Sequence, residues 1–210
     1  MLQFHHRFAA MPWNEIDSVA FDVGNVLLTF QPDTMLAQLF PDDADMRRTL
    51  KEKMFDSPYW NMMDRGTLDK PQAARAMAAG DAKLEQAMLG VLRVEDDYKQ
   101  PIPEGARAVK ACKEHGKRVF VLSNYSADGF EYVKRRFDVF QLFDGFVVSG
   151  CLKLLKPEPA IYRHLLDTFR LDPARTLFID DSPQNIEGAL NIGMQGLCFR
   201  KPGTLDAFLK

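Results

Sequence analysis

The chain has 210 residues, of which 46% are hydrophobic and 27% charged, with a formal net charge of −2. At about 150 residues per domain that allows one domain, or one domain carrying an insert. The composition supports a sizeable core and argues against disorder, and the near-neutral balance gives no electrostatic footprint for nucleic acid.

The three cysteines, Cys112, Cys151 and Cys198, are odd in number and scattered, with no CxxC pair. That pattern fits reduced thiols of a cytoplasmic protein better than a disulfide framework or a zinc site. No apolar run approaches the roughly 20 residues that span a bilayer. Residues 1–12 carry His5, His6 and Arg7 without a sustained apolar stretch. They read as a disordered extension rather than a signal peptide, and Met11 is a candidate start.

In chain order, the first strand signal is the apolar run over 18–23. Residues 33–98 contain no strand pattern; helices are expected over 33–40, 42–55, 70–79 and 81–94, as a helical insert above a sheet. Within it Tyr59, Trp60, Met62 and Met63 form either a helical core stripe or an apolar pocket wall, and 63–67 reads as a turn. Pro103 and Glu104 open a helix that stops at Gly116, which suits helix-start and helix-stop chemistry. Strand signals follow over 118–122, 146–148, 176–179 and 196–199, with helices expected from Ser126 to Phe137, over 157–170, and from Ser182-Pro183 to Gly193. Strand and helix alternate through this half, so the expected class is α/β: a doubly wound, Rossmann-like parallel sheet with a small inserted helical cap.

Four motifs follow predicted strands, and ligands of doubly wound sheets bind at the strands' carboxyl ends. Asp22, in Phe21-Asp22-Val23-Gly24-Asn25, is either a carboxylate nucleophile or a residue capping its own turn. Ser123-Asn124, just before a helix start, is either a phosphate cradle or a plain cap. Lys156-Pro157-Glu158-Pro159 offers a point charge for a phosphoryl oxygen, with Lys153 as a weaker alternative. Asp180-Asp181-Ser182-Pro183 places two adjacent acids after an apolar strand; a hard cation would relieve their repulsion, and a helix cap is the blander explanation.

Taken together over about 18–199, this order of motifs resembles the haloacid dehalogenase-like hydrolases. The Gly-Asn-Val variant is similar to the branch holding α-glucose-1-phosphate phosphatases and the phosphatase domain of soluble epoxide hydrolases. The resemblance implies a catalytic core over 1–32 and 99–210 and a cap over 33–98. It implies Asp22 as nucleophile and Mg²⁺ ligand, the Gly24 carbonyl and Asp181 as further ligands, and Asp180 in support. Asn185 would orient Asp181, Ser123 and Asn124 would hold the phosphoryl group, and Lys156 would neutralise charge on the nucleophile and transferring group. Arg65, in the cap turn, is either a substrate contact or part of an exposed turn.

The expected function is a metal-dependent phosphatase acting on a small phosphorylated metabolite, such as a sugar phosphate, through an aspartyl-phosphate. The expected partner is that metabolite, with no nucleic acid or membrane, in a monomer or homodimer. One position departs from the pattern. Phosphatases of this superfamily usually carry a second Asp two residues after the nucleophile as general acid/base, and here Gly24 stands there. Three readings follow. The substrate has a good leaving group or supplies its own proton; or the chain is a metal-independent 2-haloacid dehalogenase, which needs no proton donor; or it is a non-catalytic phosphometabolite-binding protein.

Overall fold

The computed structural model describes residues 13–200 and 202–205, so the expectation for 1–12 lies outside the described residues. The apolar runs become five strands: β1 (Ser18–Phe21), β2 (Arg118–Ser123), β3 (Gly145–Val148), β4 (Thr176–Asp180) and β5 (Gln195–Cys198). They form one parallel sheet in the order β3-β2-β1-β4-β5. The chain steps from β1 to one side and later to the other, so β1 and β4 flank the switch point where such sheets bind ligands.

Side-chain alternation along each strand sends two sets of apolar residues to opposite faces. Val19, Phe21, Val121, Leu177 and Ile179 pack against α6 (Pro103–Glu114) and α7 (Ala127–Arg136). Ala20, Phe120, Leu122 and Phe178 pack against α9 (Pro159–Phe169) and α10 (Pro183–Leu190). Both faces are covered, which is why these strands are continuous apolar runs. β1 ends before Val23 because the Val23 carbonyl turns to accept from the N–H groups of Leu27 (3.0 Å) and Leu28 (2.9 Å). One short helix, α8 (Ser149–Leu152), has no signal in the sequence pattern.

The segment between β1 and α6 is mainly helical, with isolated bridges at Gly24, Leu28 and Pro101. It comprises α1 (Pro32–Leu39), α2 (Ala44–Leu50), α3 (Pro58–Asp64), α4 (Lys70–Ala78) and α5 (Ala82–Val94). The helix expected over 42–55 is α-helical only to Leu50 and widens to a π turn at Lys51–Phe55. These helices enclose a third apolar cluster that includes Leu36, Leu50, Met54, Met88 and Leu92, separate from the two sheet clusters. Asp69 and Gln72 form a reciprocal capping box at the start of α4, which fixes where that helix begins.

The turn after α3 is where this insert meets the sheet. Gly66 has φ +74°, and a Cβ there would lie 2.4 Å from the carbonyl oxygen of Gly150. Only glycine permits that conformation at that separation. The Ser149 hydroxyl donates to the Asp64 carbonyl at 2.5 Å, holding the same turn.

Candidate active site

Register sets the first part of the site. Phe21 pairs with Val121 on one side and Ile179 on the other, so Asp22 and Asp180 leave the sheet side by side at its carboxyl edge. Asp22 is buried, and its Oδ1 accepts from the Val23 N–H (2.7 Å), the Ser123 hydroxyl (2.8 Å) and Lys156 Nζ (2.8 Å). Among the described residues Oδ2 has no hydrogen bond.

Lys156 is buried between two carboxylates. Its ammonium also donates to Asp180 Oδ2 (2.7 Å) and the Leu122 carbonyl (3.0 Å), which uses all three of its N–H groups. Asp180 is fully buried and accepts further from Asn185 Nδ2 (3.0 and 3.1 Å) and from the Ser182 N–H (2.8 Å). Asp181 turns the other way, and its Oδ2 accepts from Asn25 Nδ2 at 3.0 Å. Asn25 sits at φ 53°, a conformation asparagine tolerates, and its Oδ1 accepts from the Phe30 N–H at 2.9 Å. The loop after β1 is thereby stitched to the end of β4.

Burial pushes the Asp22 carboxyl up to about 7, with Lys156 opposing the shift and Asp180 adding to it. Burial likewise raises Asp181, against the Asn25 hydrogen bond. For Lys156 burial acts downward, but the attraction of Asp180 and Asp22 prevails and its pKa is raised. Carboxylate oxygens of Asp22, Asp180 and Asp181 all lie within 4.8 Å of one another. Three carboxylates and one ammonium leave a formal −2, which a single divalent cation would neutralise. The donors suit a hard cation, which takes one or two carboxylates and further oxygens. Asp180 is saturated by protein donors, whereas Asp22 and Asp181 each keep one oxygen without a hydrogen bond, and both line the same cavity as Gly24.

That cavity holds about 200 Å³. Its floor is Asp22, Gly24, Asn25 and Asp181; the wall is made by Phe30, Trp60, Met63, Asp64, Glu95 and Lys99, and Asn124, Tyr125 and Ser126 complete the lining, with the centre of the Tyr125 ring 5.8 Å from the Lys99 ammonium. Of the residues singled out in the sequence, Asp22, Gly24, Asp181 and Asn124 reach the cavity, while Ser123 and Lys156 lie behind it, with their polar groups committed to Asp22. The Asn124 amide exchanges hydrogen bonds with the Lys156 backbone (2.8 and 3.0 Å), so it positions that lysine. Trp60 and Met63 line the cavity, whereas Met62 is exposed on the surface. Lys153 is exposed.

Two expectations need correction. Asn185 grips Asp180 and not Asp181, because Asp180 points down toward the start of α10 while Asp181 is turned toward Asn25. Arg65 is not a cavity residue; its guanidinium pairs with Glu158 and the Lys153 carbonyl, fastening the insert to the loop before α9. Its neighbour Asp64 takes the cavity-facing position instead. Residues that the sequence patterns did not flag are Asp64, Glu95, Lys99, Phe30 and Tyr125. The acidic run Glu95-Asp96-Asp97 with Lys99 close behind, at the return from the insert to the sheet, was the one available signal.

Residues 16–193 match the family model for haloacid dehalogenase-like hydrolases, and the chain belongs to that family. It is therefore an enzyme of the hydrolase class. A sesquiterpene phosphatase of Aspergillus oryzae is 24% identical over 84% of this chain and 86% of its own length. A haloacetate dehalogenase of Moraxella sp. is 24% identical over 86% of this chain and 84% of its own. The bifunctional epoxide hydrolase 2 of Mus musculus is 26% identical over 74% of this chain, which spans only 28% of that longer protein. Among solved structures, a haloacid dehalogenase-family enzyme of Bacteroides thetaiotaomicron, in complex with magnesium and inorganic phosphate, superposes with a TM-score of 0.65 at 19% identity, over 87% of this chain and 93% of that one. At that identity the likeness speaks for the fold.

Proposed function

We propose that this hydrolase is a Mg²⁺-dependent phosphatase acting on a small phosphorylated metabolite, with Asp22 as the nucleophile. The observation that carries this reading is the charge at and just beneath the cavity floor: Asp22 and Asp181 line it, and Asp180 and Lys156 lie behind them, Lys156 being the one ammonium in contact with these carboxylates. Such a floor suits a cation and a phosphoryl group, and it repels the carboxylate that a 2-haloacid would present. Asp22, the Gly24 carbonyl and Asp181 would hold Mg²⁺, with Asp180 in support; the ion would supply charge stabilisation for the transferring phosphoryl oxygens.

The chain's own residues do the rest. Lys156 and the Ser123 hydroxyl fix the Asp22 carboxyl through Oδ1, leaving Oδ2 for attack on phosphorus. Attack displaces the leaving oxygen and gives an aspartyl-phosphate, which water then hydrolyses. Asn124 holds the loop that carries Lys156 and lies on the side of the cavity where the phosphoryl group would bind, with Ser123 behind it on Asp22. Residues 33–98 act as a cap over the core of 1–32 and 99–210, excluding bulk water during the first step. A cavity of about 200 Å³ with charged walls favours a compact polar leaving group such as a sugar.

The test is hydrolysis of p-nitrophenyl phosphate with Mg²⁺, with EDTA, and by Asp22→Asn. Turnover that requires metal and is lost in the variant supports the reading. Metal-independent release of halide from a 2-haloacid, with no phosphatase activity, would replace it with the dehalogenase.

A further inference from the structure

Gly24 leaves the proposed phosphatase without the second Asp that the resemblance implies as proton donor. The cavity holds a carboxyl that can take that part. Asp64 ends α3, and the turn it begins is pinned to the core at two points: the Ser149 hydroxyl on its carbonyl, and the Gly66–Gly150 approach. Those contacts bring Asp64 over the same cavity that Asp22 lines from below.

Asp64 also stands apart from the other acids of that wall. Among the described residues its carboxyl makes no hydrogen bond and no ion pair. Glu95 is paired with Lys70 Nζ at 3.5 Å, and Asp96 accepts from the Tyr125 hydroxyl at 2.6 Å. The groups that act on Asp64 are Glu95, Asp96 and Lys99 from the stretch that re-enters the core, and Asp22 from the floor. Burial, reinforced by Glu95, Asp22 and Asp96 and opposed only by Lys99, holds the Asp64 carboxyl well above the usual carboxylate range. A carboxyl raised in this way, placed over the cavity, is suited to donate a proton. Lys99 is buried, its ammonium lies 4.1 Å from the centre of the Phe30 ring, and it has no hydrogen-bonded partner among the described residues. It is placed to stabilise an Asp64 carboxylate once the proton has left.

We propose that Asp64 is the general acid and base of the reaction, delivered from the insert in place of the residue that Gly24 lacks; this rests on the phosphatase reading above. In the first step Asp22 attacks phosphorus, the bond from phosphorus to the ester oxygen breaks, and that oxygen takes the Asp64 proton to leave as an alcohol. In the second step Asp64, now a carboxylate, accepts a proton from the attacking water. The bond from phosphorus to Asp22 breaks, releasing phosphate and restoring both carboxyl groups. An acid placed on the insert acts only when the insert sits over the cavity, so proton donation is coupled to closure.

The test compares two esters in the presence of Mg²⁺: p-nitrophenyl phosphate, whose leaving group needs no proton, and glucose 6-phosphate, whose alkoxide does. Asp64→Asn is expected to lower kcat on the sugar ester by about 10²–10⁴-fold. On p-nitrophenyl phosphate it is expected to release a burst of nitrophenolate stoichiometric with enzyme, then slow, because the first step survives and water attack lacks its base. Gly24→Asp added to Asp64→Asn is expected to restore the sugar ester, since a Cβ at position 24 meets nothing within 4 Å. In the wild type kcat/KM on the sugar ester is expected to fall at high pH, and that fall is expected to be absent in Asp64→Asn. Equal losses on both esters with no burst and no rescue would reduce Asp64 to a structural part, and unchanged kinetics would remove it from the mechanism. A wild type that hydrolyses neither ester overturns the phosphatase reading and this assignment with it. A wild type that hydrolyses both beside an unaffected Asp64→Asn overturns the assignment alone.

Discussion

The floor and the far wall of the cavity are both rich in charge, yet they are built in opposite ways. At the floor most charged groups are held by several partners: Lys156 has three acceptors, Asp180 four contacts, and Asp22 three donors on one oxygen, while Asp181 is held by Asn25. On the wall Glu95 is paired with Lys70, but Lys99 rests against aromatic rings, and among the described residues the Asp64 carboxyl makes no hydrogen bond or ion pair. Buried polar groups left without partners are costly, so such a wall is stable only where a ligand or water completes it. The difference separates two tasks. The floor holds a fixed geometry for displacement at phosphorus, and the wall keeps donors and acceptors available for whatever enters.

The largest effect should come from breaking the floor's one free reactive oxygen. Asp22→Asn is expected to lower kcat on p-nitrophenyl phosphate by at least ~10⁴-fold, the scale seen when a nucleophile is removed. Next is the floor's counter-charge. Lys156→Ala leaves Asp22 and Asp180 buried and unpaired, which should cost about 3–5 kcal/mol in urea unfolding without metal. Lys99→Met on the wall should cost less than about 1 kcal/mol, because no hydrogen bond is lost. Equal losses for the two lysines would erase the contrast between floor and wall.

A smaller effect tests how the wall is held over the floor. Gly66→Ala would place a methyl 2.4 Å from the Gly150 carbonyl oxygen, so the turn carrying Asp64 must lift. Turnover of glucose 6-phosphate should fall by roughly tenfold or more, since displacements near 1 Å are that costly to proton transfer. The smallest is a pH effect on stability. Burial, with Asp96 adding to it, pushes the Glu95 carboxyl up from 4.5 to about 7. The folded protein then binds a proton that the unfolded chain has released, so this group's contribution declines as pH rises from about 4.5 through about 7. Glu95→Gln should reduce the drop in Tm between pH 5 and pH 8. An unchanged drop would show that Glu95 does not titrate in that window.

The motif positions were legible because they depend on short-range rules. Asp22, Ser123 and Asp180-Asp181 each end an apolar run, and a parallel sheet gathers all such ends on one edge. The insert was legible for the same kind of reason: residues such as Leu84, Met88, Val91 and Leu92 recur at helical spacing along α5.

What the sequence by itself determined is therefore which residues reach the carboxyl edge and which segment is helical, because strand and helix periods are local properties of the chain. Only the tertiary structure decided how those side chains are used. Asn185 goes to Asp180 because Asp181 is claimed by Asn25, 156 positions away in the chain. Arg65 turns out to Glu158, 93 positions distant, and that choice leaves Asp64 facing in. At the end of an element the side chain's direction is set by whichever partner the fold delivers, and spacing along the chain carries no information about partners that far apart.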